Sequence, residues 1–433
     1  LPLLTLRHFP KFRDHQNKNN GFLGFSLLIT FIGVITGLVF LNYIFKLKVS
    51  EQYQTNFYFS LLFIAFLFRL LFSNLDSIIR MTYNAALGVL SSNLILKLIN
   101  LTSVILYAIG IIDLKMLFII FVLGLCSPGI ISLIYVLFKR NFGFSMPSFF
   151  RKVKELNLRQ DLIKTSIFGF FGSIGGVMVL EIDRIMLLDI MGTTEVGIYT
   201  TAALFGVVVN VPSRSIRGIS GAVISEAWKN NDLKTISTVF KKSSLNLQII
   251  SGFLFISILI CSPYLFTLMK PEYSLGINII IYIALAQFID AFTSVNTEIL
   301  SSSILYKYQT FFIFLMVGLV VSLNYILIPL YGIKGAAIST MISLSSINIF
   351  RTIFIWFKFK IHPFENKNFS VFVLLITVYA ISFFMNEIIE LQPIFKFLIM
   401  MSFITVFYWF FILKFTLSEE ISNKVKKILT LVK

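Results

Sequence analysis

The sequence predicts an all-α polytopic membrane protein, and three observations carry that prediction. Of 433 residues, 57% are apolar and 16% aromatic, while only 13% are charged; a soluble domain carries about 25%. Mean hydropathy is +0.89. The chain also divides into about twelve continuous apolar runs. At ~1.5 Å per helical residue each is long enough to cross a hydrocarbon core of ~30 Å. Continuous runs exclude a β-barrel, whose strands alternate over about 10 residues. With 49 Phe against 23 Gly and 10 Pro, the chain is neither disordered nor collagen-like.

In order, the first four spans are Gly21–Ile44, Asn56–Ser73, Ser92–Ile112 and Leu117–Phe138. A basic segment, Lys139–Asp161, separates them from Leu162–Leu180 and Thr194–Val211. Pro212, preceded by Asn210, reads as a kink near the inner end of the latter helix. A second basic break, Ser213–Ser244, precedes Leu247–Met269, Leu275–Leu300, Thr310–Leu330 and Ile333–Phe357, and then Asn368–Phe384 and Pro393–Leu413. Pro329 is expected to end one helix, Gly332 to allow a tight turn, and Gly335 with Ala336 and Ala337 to let the next helix pack closely. The tail from Ser418 reads as an interfacial helix capped by Ser418, with Ile421, Val425, Ile428 and Val432 as its apolar stripe. Leu1–Leu6 is apolar, too short to span and followed by basic residues, the reverse of a signal peptide's order. It reads as the end of a preceding transmembrane helix.

Charge sets the orientation. Lys and Arg in alternating gaps divide 27 to six, whereas acidic residues divide nine to nine. A bias confined to Lys and Arg is the positive-inside pattern, so both ends are assigned to the cytoplasm. The net charge of +17 is then explained by anionic lipid beside the basic loops, and no nucleic-acid motif accompanies it. Cys126 and Cys261 fall inside spans, as packing residues. His8, His15 and His362 all fall in cytoplasmic segments, and no HExxH, CxxC or Walker A pattern occurs. No metal and no cofactor is expected. Short outer loops disfavour a membrane-embedded glycan polymerase or transferase, which leaves a non-enzyme.

A charge inside a membrane helix is costly, so each one needs a partner, a snorkelling route or a task. Lys97 and Lys164 sit where they can snorkel, and Arg69 lies about one turn inside its span. Gln287, Asp290, Ser294, Thr297 and Glu298 recur at intervals of three and four, which places them on one helical face. That stripe either lines a wet cavity or bonds to another helix. Asp290 is its deepest carboxylate and the first candidate for proton coupling. A second cluster, Glu181, Asp183 and Arg184, lies either at the outer surface or in a cavity. Arg214 and Arg217 are either ordinary inner-side charge or a contact for an anionic headgroup.

Several local patterns now coincide. EIDRIMLLDIMGTTEVGIYTTAALFG (Glu181–Gly206), NYILIPLYGIKGAAIST (Asn324–Thr340) and RHFPKFRDHQNKNNGFLGF (Arg7–Phe25) resemble, in order, segments of the polysaccharide-exporter family. That family holds the Wzx-type flippases for O-antigen and related lipid-linked oligosaccharides, within the multidrug/oligosaccharidyl-lipid/polysaccharide exporter superfamily. The resemblance implies a two-lobed MATE-like architecture around a central cavity, with two extra C-terminal helices and the first two helices absent before Leu1. Domains would then be 1–138 (the rest of the N-terminal lobe), 139–161 (linker), 162–357 (C-terminal lobe), 358–414 (two further spans) and 415–433 (tail). It implies flipping of an undecaprenyl-pyrophosphate-linked oligosaccharide across a bacterial cytoplasmic membrane by alternating access, coupled to a proton or sodium ion. Arg69, Arg184 and Arg214 would be its cations, and Asp183, Asp290 and Glu298 its coupling acids. A multidrug exporter and a peptidoglycan-precursor flippase are the alternatives on the same fold.

Overall fold

The computed structural model describes residues 2–14, 18–48, 53–139, 143–267 and 276–423. Among them every regular element is helical. A backbone in hydrocarbon has no water to bond, and a helix satisfies its own N–H and C=O groups. Two compact units emerge: Leu1–Phe170 with Gly221–Asn230 and Ser301–Ser303, and the remainder from Phe171 onward.

The first unit holds α1 (Pro2–Phe12), α2 (Phe22–Lys48), α3 (Tyr53–Met81), α4 (Ala85–Leu90), α5 (Leu96–Ala108), α6 (Leu114–Phe138) and α7 (Met146–Glu155). A π-turn at Ser91–Ile95 joins α4 to α5. Asp113 starts α6 by accepting a hydrogen bond from the Met116 amide at 2.9 Å, a standard N-cap. Gly129 lets α6 approach α3 closely, because a Cβ there would press on the Phe68 carbonyl. The inner core is aromatic: Phe149 stacks on Phe12 at 5.0 Å and on Phe25 at 4.1 Å.

The second unit is built from α8 (Arg159–Ile190), α9 (Thr193–Val207), α10 (Val211–Lys229), α11 (Leu233–Phe266), α12 (Ile277–Phe292), α13 (Asn296–Ser302), α14 (Tyr306–Tyr331), α15 (Ile333–Phe359), α16 (Asn366–Ile388) and α17 (Pro393–Lys414). The first turns of α8 and the end of α10 belong to the first unit. Helix α12 is central, packed by α9, α11 and α15. Helix α17 presents Met400, Ile404, Tyr408 and Ile412 to α11, a four-residue repeat that keeps one face inward, and the Tyr408 hydroxyl donates to the Ile249 carbonyl at 2.8 Å. Outward faces carry large apolar side chains such as Phe31, Leu180, Leu330 and Val406, as lipid contact requires.

Among the described residues ten helices are long and apolar enough to span, and the bent pair α12–α13 counted as one span makes eleven. Helix α3, 29 residues long, occupies the second expected span. The sequence reading missed helices in its basic breaks. Arg7–Phe12 continues the helix of α1, Lys139–Asp161 contains α7, and Ser213–Ser244 is almost wholly α10 and the start of α11. These stretches are amphipathic, so they lose the hydropathy signal while keeping helical periodicity. Pro329 does not end its helix, since α14 runs on to Tyr331 and stops at Gly332, where φ is +60°. A Cβ on Gly335 would collide with the Leu327 carbonyl, so the close approach expected there is present. Near Pro212, where a kink was expected, the helix tightens to a 3-10 turn over Val208–Asn210, but Thr193–Lys229 runs on as one span. Ser418 caps its turn, accepting from the Ile421 amide at 3.3 Å. Val425, Ile428 and Val432 lie outside the described residues, as do residues 49–52.

Candidate functional site

The expected polar stripe does not lie on one unbroken helix. Between α12 and α13 the chain turns through 51° at Thr293–Val295. Ser294 adopts φ +58° there, a left-handed conformation that costs a non-glycine residue about 1 kcal/mol. A break inside a membrane span frees carbonyls that must be satisfied by protein. Arg217, from α10, does this. Its Nη2 donates to the Asp290 carbonyl at 2.8 Å and its Nε to the Ser294 carbonyl at 3.0 Å.

The same guanidinium pairs with the Asp290 side chain, Nη2 to Oδ2 at 3.0 Å, with the two side chains 20% and 12% exposed. Asp290 is fully engaged. Its Oδ2 also accepts from Asn210 Nδ2 at 2.6 Å and its Oδ1 from Asn348 Nδ2 at 2.9 Å. Asn210 bridges on to Gln287 Oε1 at 2.8 Å. From α15, Arg351 Nη1 donates to Asn348 Oδ1 at 2.9 Å and Thr297 Oγ1 at 3.2 Å, and its guanidinium lies 5.8 Å from the centre of the Phe312 ring. Arg351 is buried and, among the described residues, forms no ion pair. Glu298 Oε2 is buried without a hydrogen-bond partner, within electrostatic reach of Arg217, Asp290 and Arg351. Two arginines and two carboxylates thus share one desolvated site, but only one direct ion pair forms.

The second cluster splits. Asp183 is buried, and three neutral donors hold it. Asn324 Nδ2 donates to Oδ1 at 2.8 Å, Tyr199 Oη to Oδ2 at 2.8 Å, and Thr340 Oγ1 also to Oδ2. One carboxylate thereby ties α8, α9, α14 and α15. The two most telling motifs of the sequence, around Asp183 and around Asn324, are halves of this single contact. Arg184 turns away and pairs with Glu181 at 2.8 Å, with side chains 39% and 47% exposed.

Of the other expected site residues, Arg69 lies in the first unit, exposed and 5.5 Å from the centre of the Phe72 ring. Arg214 is exposed, although Arg217, one turn away, is the anchor of the network. Sequence reading missed Asn348 and Arg351, and counted Arg351 as ordinary inner-side charge. The usable signal was its position inside the span Ile333–Phe357, where a charge is expensive. Tyr199 and Thr340 were missed as well, because neutral donors give no charge signal.

Neither a family model nor a curated protein sequence matches the chain. Solved structures do. A lipid II flippase, MurJ, in an inward closed conformation aligns with TM-score 0.62 over 92% of this chain and 84% of that one, at 15% identity. The chain has the fold of MurJ and the MATE transporters. An outward-facing multidrug resistance MATE family transporter of the MOP superfamily gives 0.61 at 12% identity over 83% of both chains. A Vibrio cholerae MATE transporter in the bent form gives 0.55 at 9% identity, again over 83% of both. These neighbours are flippases and transporters by name, and the MATE/MurJ fold is that of multi-pass membrane proteins.

Proposed function

We propose that this chain is a flippase that moves a lipid-linked oligosaccharide across the bacterial cytoplasmic membrane, with both described ends on the cytoplasmic side. One observation carries the reading: the buried Arg217–Asp290 pair built on a broken span, with Arg351 and Glu298 beside it. Discontinuous spans with exposed helix ends are where transporters of several folds hold polar cargo at membrane depth. With both carboxylates charged the site is neutral. A proton on Glu298 or Asp290 leaves it cationic, and guanidinium groups then suit a pyrophosphate. Proton uptake and substrate binding favour each other in such a site, which is thermodynamic coupling. Substrate and membrane lipids are the partners, with a proton or sodium ion as the coupling ion. Arg69 and Arg214, outside the network, would act only as peripheral contacts.

A peptidoglycan-precursor flippase is the second reading, and the likeness to a lipid II flippase over 92% of the chain favours it. Depleting the protein in its own host and extracting lipid-linked intermediates separates the two. Oligosaccharide-linked polyprenyl pyrophosphate accumulating on the inner leaflet, with lipid II at its normal level, supports the first reading. Accumulated lipid II alone supports the second.

A further inference from the structure

In the first unit, α7 and the start of α8 enclose a pocket of about 650 Å³, within the ~300–1,000 Å³ usual for small-molecule sites. It belongs to no part of the network around Asp290. Its apolar side includes Phe149, Phe150 and Ile163, and its polar side is Lys154, Asn157 and Arg159. Helix α7 explains the division. Phe149 and Val153 are buried, while Phe150, Arg151 and Lys154 on the same helix are exposed. This is the pattern of a helix lying in the membrane interface. Phe150 and Ile163, 59% and 52% exposed, put hydrocarbon at the mouth of a basic pocket.

The neighbouring carboxylates do not neutralise the rim. Glu155 is engaged by Lys152 at 3.2 Å and Asp161 by Arg7 at 3.1 Å. Lys154 and Arg159 are exposed and, among the described residues, form no ion pair. Two uncompensated cations at the edge of an apolar cavity complement an anionic amphiphile. We propose that this pocket holds an anionic phospholipid of the adjacent leaflet. Its phosphate lies between Lys154, Asn157 and Arg159, and one acyl chain runs along Phe149, Phe150 and Ile163. An arginine and a lysine together favour phosphate. A choline headgroup would bring its own cation against them. The lipid would fasten α7, and with it the segment joining α6 to α8, to the membrane surface. This does not depend on what the protein transports.

Native mass spectrometry of the full chain, released from vesicles of equal phosphatidylglycerol and phosphatidylcholine, tests the assignment. The wild type is expected to retain phosphatidylglycerol preferentially. Lys154→Glu with Arg159→Glu should lower that retention by about tenfold or more. Ile163→Trp, which narrows the apolar mouth, should lower it as well, and Lys234→Glu on the exposed start of α11 should not. If the double reversal fails to fold by thermal melting, Lys154→Gln with Arg159→Gln replaces it. Equal retention of the two lipids by the wild type overturns the proposal. So does unchanged retention in the charge variants, or displacement of the lipid by glycerol phosphate alone, which would make the pocket a plain anion site.

Discussion

Two buried aspartates in the second unit are held in opposite ways. Asp183 takes hydrogen bonds only from neutral donors on three other helices. Asp290 shares its carboxylate with a guanidinium and two amides, at a break in its own helix. Both would read as costly intramembrane acids in a list of residues. Their surroundings separate them: the Asp183 contact stitches regular helices together, whereas the Asp290 contact substitutes for helical hydrogen bonds that the break has removed. The difference teaches that a buried charge is best judged by what it replaces. Asp183 replaces nothing and adds a tie. At the Asp290 site the guanidinium of Arg217 serves both the carboxylate and two carbonyls of the break, so ion pair and backbone contacts share one group.

The largest effect is expected at Arg217. Removing one partner of a buried ion pair leaves an uncompensated charge, at a cost of about 3–5 kcal/mol. Here the Ser294 carbonyl loses the Arg217 donor as well, and the Asp290 carbonyl is left with Thr293 Oγ1. Arg217→Met should therefore sharply reduce membrane-inserted protein, measured by immunoblot of washed membranes. The double variant Arg217→Met with Asp290→Leu should recover part of that loss. No recovery would mean that the carbonyl contacts, and not the ion pair, dominate.

Asp183→Ala comes next. Three buried donors lose their acceptor, and hydrogen bonds to a charged group contribute about 1.5–3 kcal/mol each before the others relax. The melting temperature in detergent should fall by several degrees, while Asp183→Asn should fall less. If Asp183→Ala melts like the wild type, the four-helix tie is not structural.

Arg184 should be nearly silent for stability. Its pair with Glu181 is more than a third exposed, and exposed pairs contribute about 0–1 kcal/mol. Arg184→Ala should leave protein amount close to normal. A loss of glycan export per inserted molecule, larger for Ala than for Lys, would assign it a phosphate contact. Normal activity per molecule would leave it as an ion pair.

The smallest effect lies outside the spans. His8 in α1 is buried, its Nε2 lying 3.1 Å from Thr165 Oγ1. Burial, aided by Arg7 and Lys11 and opposed by Asp161, pulls its imidazole from 6.5 down to about 3. A histidine kept neutral by folding takes up its proton more readily when unfolded. Its contribution is therefore present above pH 6.5 and is lost as pH falls from 6.5 toward 3. His8→Gln should flatten that part of the melting-temperature profile. An unchanged profile would show that other groups set it.

Much of the architecture was legible because hydrocarbon solvation leaves a strong one-dimensional signal. Runs such as Leu117–Phe138 and Thr310–Leu330 could hardly be anything but spans, and they lie within α6 and α14. Helices α7 and α10 were illegible because they are amphipathic and score as loops. The polar stripe from Gln287 to Glu298 was found, yet its break was not. Its spacing stays helical through Ser294, and the feature that bends it, Arg217, lies far away in sequence. Arg351 was hidden by a rule that is usually right, since inner-side arginines normally face headgroups. Asn324 stood only as the first residue of the hairpin segment Asn324–Thr340, and its hydrogen bond to Asp183 gives it a second role.

The central claim is that the Asp290 network performs transport and the Asp183 network does not. The most direct measurement is export of surface glycan per membrane-inserted molecule in cells carrying Asp290→Asn or Asp183→Asn. Each change keeps the side-chain shape, removes the charge and turns one accepting oxygen into a donating NH2. The account predicts that Asp290→Asn loses at least tenfold in export per inserted molecule, while Asp183→Asn exports normally per molecule. Normal export by Asp290→Asn, or a loss confined to Asp183→Asn, would contradict it.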